Sequence, residues 1–98
     1  MTIRFLIRAK VSAEAGNRMV KDPNGLKILE DYISKIKAEA AYFYEEGGDR
    51  TFLFVADMAS ADMIPVFAEP LFQGLNAKVE FHPAMTLDDV KRGIQKSK

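Results

Sequence analysis

Ala40-Ala41-Tyr42-Phe43-Tyr44-Glu45-Glu46-Gly47-Gly48-Asp49-Arg50-Thr51-Phe52-Leu53-Phe54-Val55-Ala56-Asp57-Met58 reads as two strands joined by a tight turn. Aromatic and apolar residues recur with a period of two on both arms. Gly47-Gly48 accepts the positive φ angles that a two-residue hairpin turn demands. With Glu46-Gly47-Gly48-Asp49 as the turn, the register follows: Glu45 faces Arg50, Tyr44 faces Thr51, Phe43 faces Phe52, Tyr42 faces Leu53 and Ala41 faces Phe54. That pairing places Ala41, Phe43, Phe52, Phe54 and Ala56 on one face. Tyr42, Tyr44, Thr51, Leu53, Val55 and Asp57 take the other. Glu45 and Arg50 form an opposite-charge pair across the strands.

Working outward, residues 2–11 alternate as well. Ile3, Phe5, Ile7, Ala9 and Val11 share a face opposite Arg4, Leu6, Arg8 and Lys10. Residues 12–25 are rich in Ser, Gly, Asn and Pro, and read as a long loop ending in Pro23-Asn24-Gly25. Leu26, Leu29, Ile33 and Ile36 recur at helical spacing and predict the first helix. On the C-terminal side, Ser60 is placed to cap a second helix whose apolar stripe is Ile64, Phe67, Ala68, Leu71 and Phe72. Pro70 lies inside it and predicts a kink or break near Val66–Phe67, and Gly74 is the expected end. Ala77 to Pro83 alternates as a fourth strand, with Lys78, Glu80 and His82 on one face. Thr86, followed by Asp88 and Asp89, starts a short C-terminal helix.

The order β-α-β-β-α-β plus one helix is the ferredoxin-like α+β pattern: a four-stranded antiparallel sheet with its two main helices on one face. The expected core is Ile3, Phe5, Ile7, Phe43, Phe52, Phe54, Val79 and Phe81. The other face mixes Leu6, Leu53, Val55, Tyr42 and Tyr44 with Arg4, Arg8, Asp57, Lys78, Glu80 and His82. It is too apolar to stand fully in water and too charged to be only a packing surface. A two-fold homodimer covering this face, with a polar pocket left inside, satisfies both demands.

The pattern resembles the dimeric α+β barrel superfamily, in which two such sheets pack face to face. It is similar in particular to a family of short uncharacterised bacterial proteins. The stretches that carry the resemblance are Ala40-Ala41-Tyr42-Phe43, Asp49-Arg50-Thr51, Ile64 to Phe72 and Asn76 to Thr86. It implies a homodimer and, for an enzyme, isomerase- or monooxygenase-like chemistry on a small organic substrate without a cofactor. Muconolactone isomerases and antibiotic-biosynthesis monooxygenases belong to that superfamily. It carries no catalytic motif to transfer.

Length sets one domain, residues 1–98. There is no cysteine, hence no disulfide, which fits a reducing cytoplasm. Lys plus Arg number 14 and Asp plus Glu number 14, so no net charge draws the chain to nucleic acid or an anionic membrane. The N-terminal apolar run is broken by Arg4 and Arg8, unlike a signal peptide, and no stretch reaches the length of a membrane span. The expected location is the cytoplasm.

His82, the only histidine, is the candidate acid–base group, because imidazoles titrate near neutral pH. The plainer reading is a histidine hydrogen-bonded at the dimer interface. Arg8, with Asp57 and Glu80, is a candidate clamp for a substrate carboxylate; the plainer reading is a neutralised interface cluster. Tyr42 and Tyr44 suit stacking or positioning of a ligand, or plain interface packing. Asn17 and Arg18, in the long loop, suit a lid or a simple connector. One histidine among scattered carboxylates makes no metal site. Arg50 to Val55 resembles an RNA-binding strand, but Phe52 and Phe54 fall on the helix side. The competing functional reading is a non-catalytic structural or regulatory dimer.

Overall fold

The computed structural model describes residues 2–98. Its elements are β1 (Ile3–Val11), α1 (Ala13–Lys21), α2 (Gly25–Ile36), β2 (Ala40–Glu46), β3 (Asp49–Met58), a 3₁₀ turn at Ala61–Met63, α3 (Ile64–Leu75), β4 (Lys78–Pro83) and α4 (Leu87–Ser97). The four strands form one antiparallel sheet in the order β2-β3-β1-β4. This α+β arrangement is compatible with the ferredoxin-like pattern. Among the described residues, no helix is long and apolar enough to cross a membrane.

The β2–β3 hairpin has the expected register, from Ala41↔Phe54 to Glu46↔Asp49. Gly47 and Gly48 take φ angles of 61° and 85°, which a side chain would oppose. Alternation then assigns the faces. Ile7, Ala9 and Val11 of β1 and Phe52, Phe54, Ala56 and Met58 of β3 are buried against Ala15, Met19, Leu29, Tyr32, Ile36, Phe67, Leu71 and Leu75 from three helices. Phe54 is fully buried and meets the Tyr32 ring edge-on at 5.0 Å.

Two expected core residues fall outside this cover. Ile3 and Phe43 are each 52% exposed. Ile3 begins its strand, and Phe43 lies on edge strand β2, although its ring still rests against Phe52 at 5.4 Å.

Residues 13–21 are a helix, not part of a long loop. Ser12 caps it by accepting the Ala15 N–H at 3.2 Å, and Ala15 and Met19, one turn apart, bury its inner face. Gly16 and Asn17 disguise that periodicity. A Cβ at Gly16 would stand 2.7 Å from Nη1 of the flexible Arg50 side chain, which would have to shift to admit it. Arg50 does not bond Glu45, its register partner, and donates to Asn17 Oδ1 at 3.0 Å. Glu45 instead accepts the Gly48 N–H at 2.9 Å. The expected Glu45–Arg50 ion pair is replaced by these two bonds.

α3 is continuous across Pro70. Phe67, Ala68, Leu71 and Leu75 are buried along it, and the Tyr32 hydroxyl donates to the Phe67 carbonyl at 2.6 Å, beside the place where proline removes a donor. Burial raises the Tyr32 pKa, so the phenol stays a donor at neutral pH. Ser60 stands before the 3₁₀ turn and bonds Asp62 rather than capping α3, and Pro65 occupies the tolerated first turn. The helix ends at Leu75. Asn76, at φ 50°, supplies the left-handed cap expected of Gly74.

α4 starts with the expected capping box: Thr86 accepts from Asp89 N at 3.1 Å and its own N–H donates to the Asp89 carboxylate at 3.0 Å. These Thr86 contacts hold Asp89 below the usual carboxylate range.

Candidate functional site

The open face is read row by row from the register. One row runs Glu80–Arg8–Leu53–Tyr42, the next His82–Leu6–Val55–Ala40, and on the other side Lys78–Lys10–Thr51–Tyr44. An apolar strip of Leu6, Leu53 and Val55 is half-buried at the centre. Charged side chains cross it.

Arg8 is the hub. Its Nη1 donates to both Glu46 carboxylate oxygens, at 2.8 and 2.9 Å, and its Nη2 donates to Glu80. Glu46 lies four residues beyond Tyr42, which is Arg8's own row on β2, so this bridge passes over the Lys10–Thr51–Tyr44 row. Thr51 in that row is fully buried, and its hydroxyl donates to the Asp49 carbonyl at 3.1 Å. Arg8 Nε is buried without a hydrogen-bond partner.

Glu80 joins Arg8 to His82, whose Nε2 lies 3.1 Å from Glu80 Oε1. Residues two apart on one strand point the same way, which is why a Glu-x-His spacing brings the two groups together. The Arg8 hydrogen bond first, and His82 second, lower the Glu80 pKa below the usual carboxylate range, while Glu80 and Glu46 raise that of Arg8. A carboxylate only accepts, so Nε2 carries the proton in this contact and a neutral His82 presents an unprotonated Nδ1. That is the orientation of a general base held by an ionised carboxylate.

The structure thus brings together Arg8, Glu80 and His82, and adds Glu46. Glu46 was legible as a face residue because it shares the parity of Tyr42 and Tyr44; its assignment to the turn hid it. Asp57 is not in this group. It lies opposite Arg4, four residues from Arg8 or about 13 Å along the strand, and Arg4 is bonded to Glu39. Tyr42 is 61% exposed and two strands from Arg8. Tyr44 is close enough to Arg8 to act on its charge. Asn17 and Arg18 belong to α1, bonded to Arg50 and Glu14, and form no lid loop.

With both ends of its guanidinium taken, Arg8 binds an incoming carboxylate only by giving up a glutamate. Formally one arginine faces two carboxylates, so the cluster suits an uncharged or cationic ligand better than an anion. Shallow depressions of the single chain lie away from His82: about 230 Å³ among Met19, Ile28 and Leu75, about 240 Å³ beside Lys10, Ser12 and Lys78, and about 300 Å³ beside Arg4, Glu39 and Asp57. Among the described residues, no three His, Cys, Asp or Glu side chains converge as a metal site.

No family model matches the chain, and neither the curated proteins nor the solved structures yield a match. Of the resemblance drawn from the sequence, what stands is an α+β fold with a four-stranded antiparallel sheet.

Proposed function

We propose that the chain is a homodimer of ferredoxin-like protomers, joined through their open sheet faces as in a dimeric α+β barrel, that binds a small organic molecule between the sheets. The observation that carries this reading is the coexistence of the half-buried strip Leu6, Leu53 and Val55 with the chain Glu46–Arg8–Glu80–His82 on one uncovered face. Covering the strip stabilises the dimer, and the polar chain, removed from bulk water, gains strength. In a catalytic form, His82 moves a proton on an uncharged substrate with an acidic hydroxyl or C–H group, Glu80 orients the imidazole, Arg8 keeps Glu80 ionised, and Tyr42 positions the ligand. Isomerisation and cofactor-free oxygenation both begin with such a proton transfer.

The second reading, a non-catalytic dimer, is favoured by one observation: both terminal nitrogens of Arg8 are already bonded to glutamates. A crystal structure of the dimer separates the two. A cavity of about 300 Å³ or more bounded by His82 is the expected result for a binding site. Sheets packed solid over His82 and Arg8 leave only the structural dimer.

A further inference from the structure

Lys10 and Lys78 are direct cross-strand partners on the open face. Side chains so placed stand about 5 Å apart at Cβ, where like charges repel and weaken the sheet. The nearest acids on that face do not relieve them. Glu80, two residues from Lys78, is bonded to Arg8 and His82, and Glu46 is bonded to Arg8. Lys10 has Asp49 at 3.9 Å, the outer limit of an ion pair. Lys78 has no ion-pair partner among the described residues.

Ser12 and Asn76, the next residues of the same parity on the two segments, join the lysines. All four line one depression of about 240 Å³, with Asp49 at its side. β1 supplies Lys10, the cap of α1 supplies Ser12, the left-handed residue after α3 supplies Asn76, and β4 supplies Lys78. Ser12 Oγ accepts the Ala15 N–H, which leaves its hydroxyl proton free to donate. The Asn76 amide offers two N–H donors, and each ammonium offers three. Two ammonium groups against one carboxylate give the depression a net positive charge. An oxyanion set between the lysines removes their repulsion, and Lys10 gives up only a long contact with Asp49 to reach it. A phosphate group suits these partners better than a carboxylate: it carries close to two negative charges at neutral pH and more acceptor oxygens.

We propose that this depression binds the phosphate group of a small molecule: Lys10 and Lys78 neutralise its charge, and Ser12 and Asn76 donate to its oxygens. The site goes beyond the reading given above, since Arg8 and His82 take no part in it and a single chain supplies all four groups. The test is titration of the full chain with inorganic phosphate at neutral pH and low ionic strength, followed by amide chemical shifts. Saturable shifts are expected at Ser12, Asn76 and Lys78, half complete at about 1 mM or below. Lys78→Gln should weaken binding by about fivefold or more, Lys10→Gln with Lys78→Gln should remove it, and Lys96→Gln, on α4, should leave it unchanged. Melting gives a second readout. Without phosphate, Lys78→Gln should melt no lower than the wild type, because the repulsion is gone, while added phosphate should raise the melting temperature of the wild type alone. Glycerol 3-phosphate distinguishes the sources: binding as tight as phosphate or tighter assigns the site to a phosphomonoester, and weaker binding assigns it to free phosphate. Shifts that grow linearly without saturating and spread over all the lysines overturn the site. So does an affinity that survives the double substitution.

Discussion

On β3, Phe52, Phe54, Ala56 and Met58 are buried under helices, while Leu53 and Val55, each one residue along, are half-exposed on the opposite side. β1 shows the same contrast between buried Ile7 and Ala9 and half-exposed Leu6 and Arg8. The same strands therefore make two surfaces of different kinds. One is finished within the chain by three helices. The other holds half-buried apolar side chains, an arginine bonded to two glutamates and an exposed glutamate–histidine pair. Stability comes from the first surface.

The contrast breaks most directly at neighbouring residues. Phe54→Ala should cost about 3–5 kcal/mol of folding stability, the usual loss for a buried aromatic, read by denaturant unfolding. An effect below about 1 kcal/mol would mean the helix-covered face is not the core. Leu53→Arg, one residue away, should leave the protomer folded and lower the mass measured by light scattering from dimer to monomer. An unchanged mass counts against the face assignment.

The smallest effect concerns Glu80. Its pKa is lower in the fold than in the unfolded chain, because Arg8 and then His82 bond the carboxylate. The stability it contributes is present above the ordinary carboxylate value of 4.5 and disappears as pH falls through the lower folded value. Glu80 is half-exposed, so the contribution is modest. Melting followed from pH 7 down to pH 3 should show a shallower acid loss in Glu80→Gln than in the wild type. Parallel curves would mean that Arg8 does not hold Glu80 in solution.

Much of this was legible in the sequence because β-structure writes its register locally. A two-residue turn and a period of two determine the β2–β3 pairing and the parity of every residue on it. Parity placed Arg8, Glu80 and His82 on one face before any coordinates. α1 was hidden because Gly16 and Asn17 have low helix propensity and read as loop residues, although Asn17 bonds Arg50 from within the helix. Pro70 did not break α3 because buried side chains hold the helix and Tyr32 bonds a carbonyl of the same turn. Asp57 was grouped with Arg8 because parity sets the face but not the distance along it.

By itself, then, the chain's alternation determined which residues look toward the helices and which look away, since side-chain direction in a strand depends only on neighbouring peptide units. Only the tertiary structure decided which charged groups meet. Arg8 reaches over a whole row to Glu46, and Arg50 turns from Glu45 to Asn17, because long side chains settle wherever packing leaves a partner, and that is set by residues more than thirty positions away.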